Sequence, residues 1–289
     1  MKILVTGKTG QVGYELERSL QGLGEIIALD RSQMDLSDLA QVRDVIREIK
    51  PNLIVNPAAY TAVDKAETES ELAMRVNGEA PGVMAEEART LGAAMIHYST
   101  DYVFDGSKTS PYVESDLTCP INVYGRSKLA GEQAIQAAGI PHLILRTSWV
   151  YGARGKNFLL TVLRLAQDRS ELRIVGDQHG APTWCRTIAD TTAHIVVQAL
   201  NAQDPHAWWR EKTGLYHLTA QGQTTWAGFT EAILANAVLS KKPIVTAITT
   251  QEYPLPAKRP SYSVISCEKL ITTFCGLPTW ENSLRLCQA

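Results

Sequence analysis

Along the first half of the chain, short apolar runs without polar alternation recur: KILVT (2–6), EIIALD (25–30), NLIVN (52–56), AAMIHYS (93–99) and HLILRTS (142–148). Such runs suit strands covered on both faces. Between them, residues 11–21, 38–49, 70–91 and 124–138 carry apolar side chains at helical spacing. The alternation predicts an α/β fold, a doubly wound parallel sheet with helices on both faces and right-handed crossovers. After residue 150 the rhythm loosens. Helices are expected at 157–169, 187–201 and 226–239 and strands at 173–175 and 215–219, before Pro243, Pro254, Pro256 and Pro260 mark extended loops. The chain therefore reads as a nucleotide-binding domain over 1–150 and a smaller C-terminal lobe over 151–289, partly interleaved with it.

The first strand runs into three glycines, Gly7, Gly10 and Gly13, which open a helix. In that setting glycine permits a tight turn and lets backbone amides and the helix N-terminus approach a pyrophosphate, as in Rossmann-like domains. The spacing is GxxGxxG rather than the commoner GxGxxG, so a plain strand-to-helix turn stays open on spacing alone. The second strand adds weight by ending in Asp30, about where an acidic side chain meets the ribose hydroxyls of an adenosine. Arg31 follows and suits a 2'-phosphate, leaving NADH and NADPH both open. Asp35 and Leu36 are placed to edge the adenine, and capping the helix at 38–49 is the other reading of Asp35.

Composition narrows the partners. With 289 residues, a net charge of -2 and pI near 6.3, the chain has no basic footprint for nucleic acid. No signal peptide or transmembrane-length run is visible, so no membrane partner and a cytoplasmic location are expected. Five cysteines without a CxxC pair suggest neither a disulfide framework nor a zinc site.

Tyr124 and Lys128 stand four apart at the start of a predicted helix, on one face. A YxxxK pair in a chain with ten tyrosines proves little alone, and two surface residues are its bland reading. Thr100, at the carboxyl end of the fourth strand, gives it company. Hydride transfer to a carbonyl needs a proton and donors around the developing alkoxide. Tyr124 is the expected proton donor, Lys128 the ammonium expected to lower its pKa, and Thr100 a hydrogen-bond donor to the carbonyl oxygen.

GKTGQVG, VNPAAYTAVDKAE, VN at 76–77, HYSTDYVFDG, VYGRSKLAGE, RTSWVYG and DQHGAPT together resemble the extended short-chain dehydrogenase/reductase group. The likeness is strongest over 1–185 and traceable through KRPSYSVIS (258–266). It implies NADPH- or NADH-dependent reduction of the C4 keto group of dTDP-4-dehydro-6-deoxy-L-mannose to dTDP-L-rhamnose, a precursor of O-antigen and similar glycans. By the same resemblance Gly10, Gln11 and Val12 would line the pyrophosphate, and Asp30, Asp35 and Leu36 the adenosine. Ala59, Tyr60, Thr61 and Tyr98 would complete the cofactor site. Thr100, Tyr124 and Lys128 would carry the acid chemistry, while Asp101 and Trp149 touch the dTDP-sugar; for Trp149 a simple core role competes. Asn77 is expected to steady backbone near the site. In the lobe, Asn157 and Phe158 start a helix that could face a phosphate, residues 180–183 shape the nucleotide pocket, and Arg164 and Arg259 are candidates for the diphosphate. Some relatives use Mg2+ at a carboxylate-lined dimer contact. Glu15 would suit that role, but Arg186 stands where a second carboxylate is wanted, so a metal-bridged dimer is doubtful and a monomer or weak homodimer is expected. The stretch 201–214 looks like an extended loop with two exposed tryptophans, Trp208 and Trp209. Two other readings stay open: a nucleotide-sugar epimerase that returns the hydride to its own substrate, and a non-catalytic NADP-binding regulatory subunit.

Overall fold

A computed structural model describes all 289 residues. Six strands form one sheet: β1 (Lys2–Val5), β2 (Glu25–Ala28), β3 (Leu53–Asn56), β4 (Ala94–Thr100), β5 (His142–Thr147) and a sixth, Gly214–His217. They lie in the order β2, β1, β3, β4, β5, sixth, every neighbouring pair parallel. Alternate residues of each strand feed opposite faces. Ile3 and Val5 of β1, with Ile96 and Tyr98 of β4, join the core under the helices Gln11–Ser19 and Cys185–Asn201. Leu4 and Met95 join the core on the other face, with Val42 and Ile46 of Leu39–Ile49, Met84 of Ala80–Leu91 and Ile135 of Val123–Ala138. Apolar residues on both faces explain why these strands read without alternation.

The sixth strand and the helix Cys185–Asn201 come from the second half of the chain but build on the sheet. Other parts of that half make a separate core around Tyr151, Phe229 and Trp280, between the helices Phe158–Asp168, Trp226–Asn236 and Trp280–Gln288. A parallel pair, Glu171–Val175 with Ile244–Ile248, closes one edge of it.

Two expectations need correcting. The stretch 201–214 holds a helix, Pro205–Lys212, because Asp204 caps the amides of His206 and Ala207 and Pro205 suits the first turn. Trp209 is consequently buried against the sheet and Trp208 half-buried beside Phe274. The run 70–91 is one helical path interrupted by a π turn at Arg75–Glu79, with Asn77 in the turn. No helix is long and apolar enough to cross a membrane.

Candidate active site

The strand order reverses between β1 and β3, and a crevice opens beyond their carboxyl ends, as expected at such a switch point. It is a cleft of about 680 Å³. Its floor is the loop after β1, where Gly7 has φ 59° and a Cβ at this position would lie 2.9 Å from that of Ala58. Only glycine fits there without strain. Gly10, Gln11, Val12 and Gly13 follow along the cleft at the N-terminus of Gln11–Ser19. Asn157 caps its own helix and donates to Gln11 Oε1 at 2.9 Å, which ties the lobe to this floor.

At the end where an adenosine is expected from sequence, Asp35 and Leu36 line the cleft. Asp38, rather than Asp35, caps the helix Leu39–Ile49. Asp35 accepts from the Ser37 amide and hydroxyl and from Arg31 Nε at 3.0 Å. Asp30 stands outside the lining: its carboxylate accepts from Ser32 N and Oγ at 2.9 and 2.6 Å and pairs with Lys8 at 3.7 Å. Those Ser32 hydrogen bonds hold its pKa below the usual value. Arg31, expected from sequence to suit a 2'-phosphate, reaches the cleft, as do Lys65 and Lys156, two cations not assigned to the cofactor from sequence.

The loop after β3 brings Ala59, Tyr60 and Thr61 to the opposite rim. Asn77 clamps it by accepting from Tyr60 N at 2.8 Å and donating to Tyr60 O at 3.0 Å. The same amide donates to Ser127 Oγ at 3.0 Å on the helix Val123–Ala138, so the π turn joins the rim to that helix. The Tyr60 hydroxyl donates to Glu69 at 2.6 Å, and burial together with that carboxylate pushes its pKa up to about 12.

Tyr98, Tyr124 and Lys128 form the far wall. The Tyr98 hydroxyl bonds Thr192 Oγ1 at 2.7 Å in the core, leaving its carbonyl to accept from Lys128 Nζ at 2.6 Å. Lys128 is 2% exposed, and burial pulls its pKa down to about 8. One turn further along the helix, Glu132 takes a bidentate pair from Arg146 of β5 at 2.9 and 2.6 Å. Tyr124 departs from the expected electrostatics: burial pushes its phenol up to about 12, with the neighbouring Thr100 hydroxyl working the other way. Lys128 does not lower it, because the ammonium is turned towards β4.

Thr100 and Asp101 lie behind the lining, 5% and 2% exposed. Thr100 Oγ1 donates to Asp101 Oδ1 at 3.0 Å and accepts from Tyr102 N at 3.1 Å. Asp101 Oδ2 completes no hydrogen bond, and burial pushes the carboxyl up to about 7. Trp149 also lies off the lining, in a left-handed conformation with φ 47°. Its indole stacks on Trp226 at 3.6 Å and 5°, and a side chain at Gly180 would overlap it. Residues 180–183 therefore support Trp149, with Thr183 N donating to its carbonyl at 3.2 Å. Arg259 is committed to Asp64 through Nη1 at 3.0 Å and Nη2 at 2.8 Å, and Arg164 is exposed on its helix. Near Glu15, Arg186 pairs with Asp190 at 3.5 Å, and no group of three or more His, Cys, Asp or Glu is placed to hold a metal.

Sequence reasoning missed the polar members of the buried strands: Asn56, His97 and Arg146. Their signal was legible, because a polar residue inside an otherwise apolar strand needs a partner.

Comparison with known proteins gives a consistent result. The family described as RmlD substrate binding domain matches residues 1–289. A dTDP-4-dehydrorhamnose reductase of Burkholderia thailandensis is 50% identical over 99% of this chain and 98% of its own. That of Escherichia coli K12 is 46% identical over 99% and 96%. The crystal structure of dTDP-4-dehydrorhamnose reductase from Bacillus anthracis in complex with NADP matches with a TM-score of 0.90 at 33% identity, covering 99% of this chain and 98% of that one. A Thermus thermophilus UDP-glucose 4-epimerase shares the fold at 20% identity and a TM-score of 0.81.

Proposed function

Because the chain belongs to the RmlD substrate binding domain family, we propose that it is an NAD(P)H-dependent oxidoreductase that reduces the C4 keto group of dTDP-4-dehydro-6-deoxy-L-mannose to dTDP-L-rhamnose. The observation that carries the mechanism is one cleft that unites the Gly7–Gly13 floor with the Tyr124 and Lys128 wall. A pyrophosphate fits the floor, where the helix N-terminus and the turn at Gly7 offer backbone amides. The reduced nicotinamide, when bound, supplies the hydride to C4.

The chain's own residues manage the proton. Tyr124, its phenol held protonated through the neutral range by burial, donates O–H to the C4 oxygen. Thr100, whose hydroxyl donates to Asp101 in this structure, turns it to that oxygen as charge builds there. Lys128 keeps a positive charge beside the wall below its pKa of about 8. Trp149 offers the sugar a flat apolar plate, and Asp101 completes the pocket behind Thr100. In this reading the enzyme works in the cytoplasm as a monomer or weak homodimer; five free thiols suit a reducing compartment.

The test is oxidation of NADPH, and separately NADH, with dTDP-4-keto-6-deoxy-glucose and a 3,5-epimerase. Stoichiometric, epimerase-dependent oxidation yielding dTDP-L-rhamnose is expected. Sugar conversion without net cofactor loss would make the protein an epimerase instead.

A further inference from the structure

Beneath Lys128 runs a polar chain that proton donation to the sugar does not use. Ala58 N donates to Thr6 Oγ1 at 3.3 Å, and the Thr6 hydroxyl donates onward to Asn56 Oδ1 at 2.6 Å. With its carbonyl engaged, the Asn56 amide turns Nδ2 to His97 Nδ1 at 3.0 Å. A donor facing Nδ1 makes that nitrogen the acceptor of a neutral imidazole, which puts the ring proton on Nε2. Nε2 faces Lys128 Nζ at 3.2 Å. Asn56 and His97 are register partners on adjacent strands, and Thr6, Asn56 and His97 are each at most 1% exposed, so solvent does not compete for these bonds.

We propose that His97 is a positioning residue for this reduction: through the tautomer that Thr6 and Asn56 impose it presents an N–H to Lys128 Nζ, which favours the lysine as amine and opposes it as ammonium, while the Tyr98 carbonyl holds Nζ at the wall. The proposal rests on the reductase reading for its kinetic consequence, and on the hydrogen-bond chain alone for its tautomer. The other groups around the pair are few. Tyr98 offers Lys128 its carbonyl, Tyr124 shares the wall, and Glu132, paired with Arg146 of β5, lies one turn along the helix and favours the ammonium. Burial and the nearby lysine together keep His97 neutral, so the pair carries no second positive charge. One nitrogen pair thus couples the lysine's protonation state to polar groups on β4, on β3 and just past the end of β1.

The experiment uses the NADP-bound protein labelled with 15N-histidine, the His97 signals being those lost in His97→Gln. A pyrrole-type Nε2 and a pyridine-type Nδ1 near neutral pH are expected; a protonated Nδ1 would overturn the proposal. Kinetics give the second arm. Asn56→Asp sets an acceptor against Nδ1, reverses the tautomer and favours the ammonium, so the lysine-linked limb of the kcat–pH profile should move to higher pH by about one unit. His97→Phe should lower kcat roughly ten- to a hundredfold with KM for NADPH little changed, while His97→Gln, which keeps a polar partner, restores most of it. An unmoved limb in Asn56→Asp together with wild-type kcat in His97→Phe would sink the idea. If the wild-type enzyme does not turn over the dTDP-sugar, the reductase reading falls, and the 15N spectrum still decides the tautomer.

Discussion

The sheet wall of the cleft and the lobe wall that stands behind its lining hold their key side chains by opposite means. On the sheet side, Lys128 and Thr100 are buried and tied by directional bonds to strand β4 and its end: Nζ to the Tyr98 carbonyl at 2.6 Å, Oγ1 to Asp101 at 3.0 Å. On the lobe side, Trp149 is half-buried and gripped by flat surfaces, the Trp226 ring on one face and the bare backbone of Gly180 against the ring. In the proposed reduction the difference suits the work assigned to each wall. Moving a proton needs donors and acceptors fixed in direction, which buried hydrogen bonds supply. Holding a deoxysugar needs an apolar plate whose plane is fixed, and stacking does that without spending polar groups on it. Even the backbone reflects this: the strained φ of 47° sits on the lobe wall, where Thr183 and Gly180 pin it, while the sheet wall is built from regular strand and helix.

If the division is right, substitutions on the two walls separate into kcat and KM effects. The largest is Tyr124→Phe. It removes the proton donor and keeps the ring, so kcat should fall about 10²- to 10⁴-fold while calorimetric affinity for NADPH stays near wild type. A comparable loss of NADPH affinity would mean that Tyr124 serves binding instead. Trp226→Ala should act on the other wall. It strips Trp149 of its stacked partner, worth about 0.5–1.5 kcal/mol beyond buried area, so KM for the sugar should rise roughly tenfold with kcat little changed. Trp226→Phe, which keeps a stacking ring, should fall between. A kcat loss without a KM change in Trp226→Ala would erase the distinction between the walls.

The sheet wall was far more legible in the sequence than the lobe wall. Uninterrupted apolar runs marked β1, β3, β4 and β5, and the glycine loop and Tyr124 with Lys128 fell where those strands predicted them. Contacts between distant segments were the illegible part. Nothing local in RTSWVYG announces that Trp149 meets Trp226, and Arg259, which reads as a phosphate contact, is paired with Asp64 across a separation of 195 residues. The Tyr124 electrostatics failed for a related reason. Helical spacing placed Lys128 on the same face, but only the fold shows its Nζ drawn to the Tyr98 carbonyl and His97, leaving burial to dominate the phenol. Residues 205–212 show a milder case, where a cap and a proline outweighed the loop-like composition of their surroundings.

A smaller effect tests how the sheet wall was assembled. Asp101 is the one carboxyl behind the wall without a cation, in contrast to Glu132 with its bidentate Arg146. Burial raises the Asp101 pKa from 3.8 to about 7, so between those values the folded protein keeps a proton that the unfolded chain has released. The native state then binds more protons than the unfolded one, and stability must fall as pH rises. This contribution is fully present below the unfolded pKa and is lost as pH climbs through about 7. Asp101→Asn keeps the shape and an acceptor for the Thr100 hydroxyl but cannot ionise. Its Tm relative to wild type should therefore rise between about pH 5 and about pH 8, each kcal/mol appearing as roughly 2–4 °C. A gap that stays constant over that range would mean that Asp101 is already ionised in the fold, and the wall would then hold a buried negative charge directly behind the proton donor.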